Sequence, residues 1–228
     1  PAMIGIAPSP PEKPIIGYGA EPGPFDTVMT IHPYTMPDEV EKIILSQEQD
    51  IDFSVYLTLP QLSEDLPLDS IPLALLSHGW GYPVYAEYTD WISHLSAKGM
   101  AVAFIQYPSY IDPPIPEGLT GIDVEGASNY PHHTYRALAI ASALDTLQNV
   151  ALDNSRHETV DLALGNVTIN PSHLWIGGHS LGGAYSFIQL YESMEREWGN
   201  ETLFIDIESG WTRPCLLYTS DAADDQAS

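Results

Sequence analysis

Basic residues are scarce in this 228-residue chain: seven Lys and Arg stand against 31 Asp and Glu, a formal charge of −24. The lysines are Lys13, Lys42 and Lys98 alone. So negative a surface repels nucleic acid and anionic membranes, which argues against both as partners. It suits high salt, where self-repulsion is screened, or equally an ordinary acidic secreted protein. Cysteine is nearly absent too. The single one is Cys215, so residues 1–214 have no thiol, disulfide or cysteine metal site. No grouping of His, Asp and Glu has metal-ligand spacing, and no cofactor motif occurs. No apolar run reaches the length of a membrane span. No signal-peptide pattern opens the chain, but the first residue is Pro1 rather than Met, so a secreted or periplasmic location stays the expectation. Oligomeric state leaves no trace in the sequence.

What is present centres on Ile176-Gly177-Gly178-His179-Ser180-Leu181-Gly182-Gly183-Ala184. The apolar run His173–Ile176 before it reads as a buried strand, and 183–198 after it as a helix. Between them, Gly178-x-Ser180-x-Gly182 has the spacing of a nucleophile elbow. A strand that reverses sharply into a helix forces its apex residue into a sparsely populated backbone region. Side chains two positions to either side would collide, so glycines keep that space clear. Ser180 then projects its hydroxyl into a cleft, with the Leu181 N–H at the helix start beside it. A glycine-rich connection without chemistry is the alternative.

Along the chain, residues 1–24 are rich in Pro and Gly and read as a linker or an arm along the domain surface. Residues 26–35 and 51–59 read as strands, the second alternating Phe53, Val55, Leu57 and Leu59. An acidic, proline-broken loop follows over 61–70. Pro72–Ser77 is a short continuous apolar run, as in a strand buried on both faces, and it leads into His78-Gly79-Trp80-Gly81. Residues 85–98 form an amphipathic helix with Tyr88, Trp91, Ile92 and Leu95 on one stripe and Gly99 as its stop. Residues 100–107 read as a strand, 108–129 as a long proline- and glycine-rich loop, and 132–150 as an alanine-rich helix. A polar loop then precedes the Ser180 strand, and 202–207 gives a last strand. Strands alternating with helices imply an α/β domain over 25–214, with a mostly parallel sheet and helices on both faces. Ligands of such sheets sit at the carboxyl ends of the strands, where both His78–Gly81 and Ser180 fall.

Residues 215–228 fit neither a strand nor a capped helix. The run Cys215–Asp224 resembles a translated transposase-type sequencing adapter, so it is set aside from the fold and the natural chain is expected to break off near Pro214.

Acyl transfer by serine needs a nucleophile, a base, a group orienting the base, and donors for the oxyanion. Ser180 and the Leu181 N–H supply the first and half of the last. The turn at 79–81 can supply a second donor, the Trp80 N–H; alternatively that turn is structural and its ring plugs the core. No histidine follows His179. His94, His132, His133, His157 and His173 precede the serine on helices or polar loops and read as structural, while His179 is expected to pack beneath the turn. Asp206 or Glu208 is a candidate acid in a variant arrangement. Tyr82, Tyr85, Tyr107 and Tyr110 either line the cleft or belong to the core.

His78-Gly79-Trp80-Gly81, followed some hundred residues later by Gly178-His179-Ser180-Leu181-Gly182-Gly183, resembles the α/β-hydrolase superfamily. The stretch from Leu73 to Tyr107 is most similar to its chlorophyllase, platelet-activating-factor acetylhydrolase and cutinase-like branch. The resemblance covers 26 to about 211. It implies an α/β-hydrolase fold, a nucleophile at Ser180, oxyanion donors at Trp80 and Leu181, and an aromatic bordering the cleft at Trp211. It also implies an acid and a histidine later in the chain, so the sequence as it stands reads as a C-terminally truncated domain. The expected activity is hydrolysis of small, lipid or polymeric carboxylic esters. Acyl transfer to another acceptor, or a non-catalytic binding module on the same fold, are the alternatives.

Overall fold

The structure, a computed structural model, describes residues 21–46, 51–63, 66–81, 83–109, 131–152 and 156–209, the side chains of 131–134 and 206–209 excepted. Tyr82, Tyr110, Trp211, most of the 1–24 arm, most of the 108–129 loop and the 215–228 tail lie outside the described residues. Residues 21–25 run along the end of a helix, where the Phe25 N–H donates to the Ala97 carbonyl at 3.2 Å.

Among the described residues, six strands form one sheet in the order β1-β2-β4-β3-β5-β6. They are β1 Thr27–Pro33, β2 Ser54–Pro60, β3 Ser70–Ser77, β4 Ala101–Ile105, β5 Thr168–Ser180 and β6 Thr202–Ser209. β2 runs antiparallel to β1 and β4, and the pairs β3–β4, β3–β5 and β5–β6 are parallel. Period-2 alternation assigns the two faces. Leu73 and Leu75 of β3 join the large core cluster, whereas Ala74 and Leu76 point into a smaller one on the other side.

The helices divide accordingly. Over the larger face lie α1 (Asp38–Leu45), α3 (Pro131–Leu147), α4 (Glu158–Leu164) and α5 (Leu181–Glu195). Over the smaller face lies α2 (Thr89–Ala97), entered through a 3₁₀ turn at Tyr85–Tyr88. Tyr88 and Ile92 of the anticipated stripe are buried there, with Trp91 and Leu95 packed beside them. Gly99, at φ +98°, ends α2 in a conformation that favours glycine.

Three details differ from the sequence reading. α1 falls in a stretch for which the pattern suggests no element: Pro37 precedes it, acids fill its first turn, and Val40 and Ile44 are its buried residues one turn apart. α4 falls in what reads as polar loop, its start capped by the His157 ring accepting from the Thr159 N–H. β5 is longer than the apolar run His173–Ile176. It begins at Thr168, and its pairing with β3 jumps between Asn170 and Leu174, so Pro171–His173 bulge out and place His173 inside the strand.

Candidate active site

Ser77, the last residue of β3, pairs with Gly178 of β5. Because the two strands are parallel neighbours, the chain leaving β3 as His78-Gly79-Trp80-Gly81 and the chain leaving β5 at Ser180 emerge side by side. A β-carbon placed on Gly79 would stand 3.3 Å from the Ser180 β-carbon and 2.9 Å from the His179 ring. The two motifs, about a hundred residues apart in sequence, are in contact.

Ser180 ends β5 and caps α5 with φ 54° and ψ −119°, a backbone conformation that a side chain ordinarily avoids. Leu181 is the first residue of α5, so its N–H belongs to the unsatisfied group at a helix start. A β-carbon on Gly178 would lie 2.2 Å from the Gly182 carbonyl oxygen, and one on Gly182 would lie 2.4 Å from the Ser77 carbonyl oxygen. No side chain fits at either position without moving backbone, so the tight turn depends on both glycines. The anticipated collision between the two flanks is thereby found, and Gly182 also seats α5 against the end of β3.

Trp80 is 59% exposed, against the alternative in which its ring plugs the core. His78 is fully buried under the turn. Its Nδ1 lies 2.9 Å from the Gly79 carbonyl, and its Nε2 lies 3.1 Å from the Tyr107 carbonyl and 3.2 Å from the Tyr107 N–H. Burial pulls its pKa down to about 4, against the smaller opposing effect of its backbone hydrogen bonds. The Tyr107 ring stacks on it at 3.8 Å, and the Tyr107 hydroxyl donates to the His78 carbonyl. Tyr107 is therefore core rather than cleft. Tyr85 stacks on Tyr56 at 5.1 Å and shares a hydrogen bond with Thr58.

Three residues at the site escape the sequence reading in their roles. The Tyr88 hydroxyl accepts the Gly79 N–H at 2.8 Å and lies 3.1 Å from His179 Nδ1. The Ser109 hydroxyl accepts the Gly81 N–H at 2.6 Å. Arg136, 2% exposed, donates from Nε to the Pro108 carbonyl at 2.6 Å, from one terminal nitrogen to the Tyr185 hydroxyl at 3.0 Å, and from the other to the Ser109 carbonyl. A signal for Arg136 exists: it shares the spacing of Ile140, Ala143 and Leu147, a charge on the buried stripe of α3. Nothing local marks the oxygens of Tyr88 or Ser109.

The rings of His32, His157, His173 and His179 have other partners. His179, half-buried, faces the Tyr88 hydroxyl. His32 bonds Thr30 and meets His157 ring to ring, His157 caps α4, and His173 pairs with Glu201 at 3.2 Å. Glu208 of β6 is in register with His179, and Asp206 with Gly177; the side chains of both lie outside the described residues. Among the described residues no group of three or more His, Cys, Asp or Glu could hold a metal, and no helix is long and apolar enough to cross a membrane.

A mixed, mostly parallel sheet with helices on both faces, and a strand–serine–helix turn at its carboxyl edge, is an α/β-hydrolase fold. No protein-family model matches the chain, and no curated protein matches it. Among solved structures it is similar to esterase B from Lactobacillus rhamnosis, at 16% identity over 73% of this chain and 39% of that one, with a TM-score of 0.40. It is similar to a thermostable esterase from Pseudomonas putida, at 11% identity over 79% of this chain and 41% of that one, TM-score 0.41. A third is brefeldin A esterase, a bacterial homologue of human hormone-sensitive lipase, at 13% identity over 86% of this chain and 41% of that one, TM-score 0.39. The chain spans about two fifths of the length of these structures.

Proposed function

We propose that this chain carries the nucleophile half of a serine hydrolase acting on carboxylic esters, within the chlorophyllase, acetylhydrolase and cutinase-like branch that its motifs resemble. Ser180 Oγ adds to the ester carbonyl while its proton passes to a base. The carbonyl oxygen takes up negative charge facing the amides of Leu181 and Trp80. Collapse expels the alcohol, which takes that proton, and leaves an acyl group on Ser180. Water then adds in the same way and releases the acid. The family resemblance puts the histidine and carboxylate serving Ser180 later in the chain than His179, and the rings of His32, His78, His157, His173 and His179 are engaged by the partners given above. Residues 215–228 take no part, nor does the proline-rich 1–24 arm, and Tyr82 and Trp211 are assigned to the rim of the cleft.

The observation that carries the reading is the backbone of Ser180: a serine at φ 54° between β5 and α5, its side chain against Gly79 of the neighbouring turn. Strain of this kind is kept where it positions a reacting group. The test is hydrolysis of short p-nitrophenyl esters by the protein expressed from its complete reading frame. Turnover that Ser180→Ala lowers by about 10⁴-fold or more supports the proposal; turnover indifferent to that substitution refutes it. Release of free acid, rather than acyl transfer to an added alcohol or amine, separates hydrolysis from acyl transfer.

A further inference from the structure

One oxygen joins the two halves of the site. The Tyr88 hydroxyl accepts the N–H of Gly79, the residue before Trp80, and lies 3.1 Å from the ring of His179, the residue before Ser180. The tautomer of the His179 ring decides whether this hydroxyl donates to Nδ1 or accepts from it. Tyr88 is itself anchored. It ends the 3₁₀ turn ahead of α2, is 7% exposed, and packs its ring on Phe104 at 5.3 Å and on His179 at 5.9 Å. On the far side of Trp80, the Gly81 N–H is held by the Ser109 hydroxyl, whose own backbone carbonyl Arg136 grips. Both peptide N–H groups flanking Trp80 are thus fastened by buried hydroxyls standing on different elements.

We infer that Tyr88 and Ser109 are positioning residues that set the distance between the Trp80 amide and Ser180. The inference rests on the reading of Ser180 as nucleophile. An oxyanion donor acts only if it is already aimed where charge will develop, and misplacement by about 1 Å can cost on the order of a hundredfold in rate. Neither hydroxyl touches substrate; each acts through the turn. Tyr88 fixes the turn relative to the elbow, and Ser109 fixes its orientation at the other end.

The experiment compares wild type, Tyr88→Phe and Ser109→Ala, each expressed from the complete reading frame, on a p-nitrophenyl ester. It adds binding of an alkyl boronic acid, whose serine adduct carries an oxyanion, and of the matching uncharged amide. In each variant kcat is expected to fall ten- to a hundredfold with KM within about threefold of wild type. Boronate affinity should fall in parallel while amide affinity holds. Unchanged kcat in either variant overturns the inference, as does an equal loss of boronate and amide binding, which marks a merely structural role. Should Tyr88→Phe fail to fold, Ser109→Ala decides alone, since it removes one oxygen and little volume. A wild type that turns over no ester, or does so without Ser180, refutes the underlying reading, and that result is distinct because it is read before either variant is made.

Discussion

The open face of the Gly178 α-carbon lies against the carbonyl of Gly182, so close that a β-carbon there would be 2.2 Å from the oxygen. This contact closes the turn that carries Ser180. It converts a sequence pattern into a steric requirement: the spacing exists because the two flanks of the serine touch.

Gly178→Ala therefore forces backbone apart. The Ser186 hydroxyl, 2.5 Å from the same point, could swing aside, but the Gly182 carbonyl cannot. A loss of roughly 2–3 kcal/mol in denaturant unfolding is expected, together with loss of reactivity at Ser180. Wild-type stability in Gly178→Ala contradicts the packing described here.

Strain at Ser180 predicts an ordering of two variants. Alanine keeps the cost of φ 54°, whereas glycine relieves it and adds only its own chain entropy. Ser180→Gly should be more stable than Ser180→Ala by about 1 kcal/mol, measured as the difference in urea midpoints at constant slope. Equal stabilities, or a less stable glycine variant, would mean the turn is unstrained.

Arg136 ties α3 to α5 and to the chain leaving β4. Arg136→Met leaves the Pro108, Ser109 and Tyr185 oxygens without this donor, at a cost of about 3 kcal/mol. That corresponds to a Tm lower by roughly 6–12 °C for a domain of this size. Arg136→Lys, with a single point of donation, should recover only part. A methionine variant as stable as wild type would show the clamp to be dispensable.

Acid should loosen the fold through His78. Its pKa is about 4 when folded, against 6.5 for a free histidine, so below pH 6.5 the unfolded chain binds a proton that the folded one refuses. The associated stability is fully present above pH 6.5, declines as pH falls, and is lost below about 4, on the order of 3 kcal/mol in all. His32, also depressed by burial and by neighbouring His157, adds in the same direction. NMR of the imidazole nitrogens should find His78 neutral at pH 5; a midpoint at or above 6.5 contradicts the burial argument.

The parts of the fold legible in the sequence are those whose signals are local. Continuous apolar runs mark β3 and β4, and the Tyr88–Leu95 stripe marks α2. Mostly parallel pairing followed from the alternation of elements. α4 is hidden because it has only seven residues, its apolar positions Val160, Leu162, Ala163 and Leu164 mark no single helical face, and its cap is a histidine rather than Ser or Asp. At the site, the glycine spacing marks Ser180 because the collision it relieves lies within five residues. Tyr88 and Ser109 act across sequence separations of 9 to 91 residues, so only the sheet register reveals them.

The most direct test of the account is covalent labelling with a fluorophosphonate, in which Ser180 Oγ bonds to phosphorus as fluoride leaves, followed by peptide mapping by mass spectrometry. The protein expressed from its complete reading frame should carry one adduct, on the peptide containing Ser180, and Ser180→Ala should carry none. An unlabelled wild type, or an adduct that persists in Ser180→Ala, would contradict the central claim and leave this site as a binding surface rather than a catalytic one.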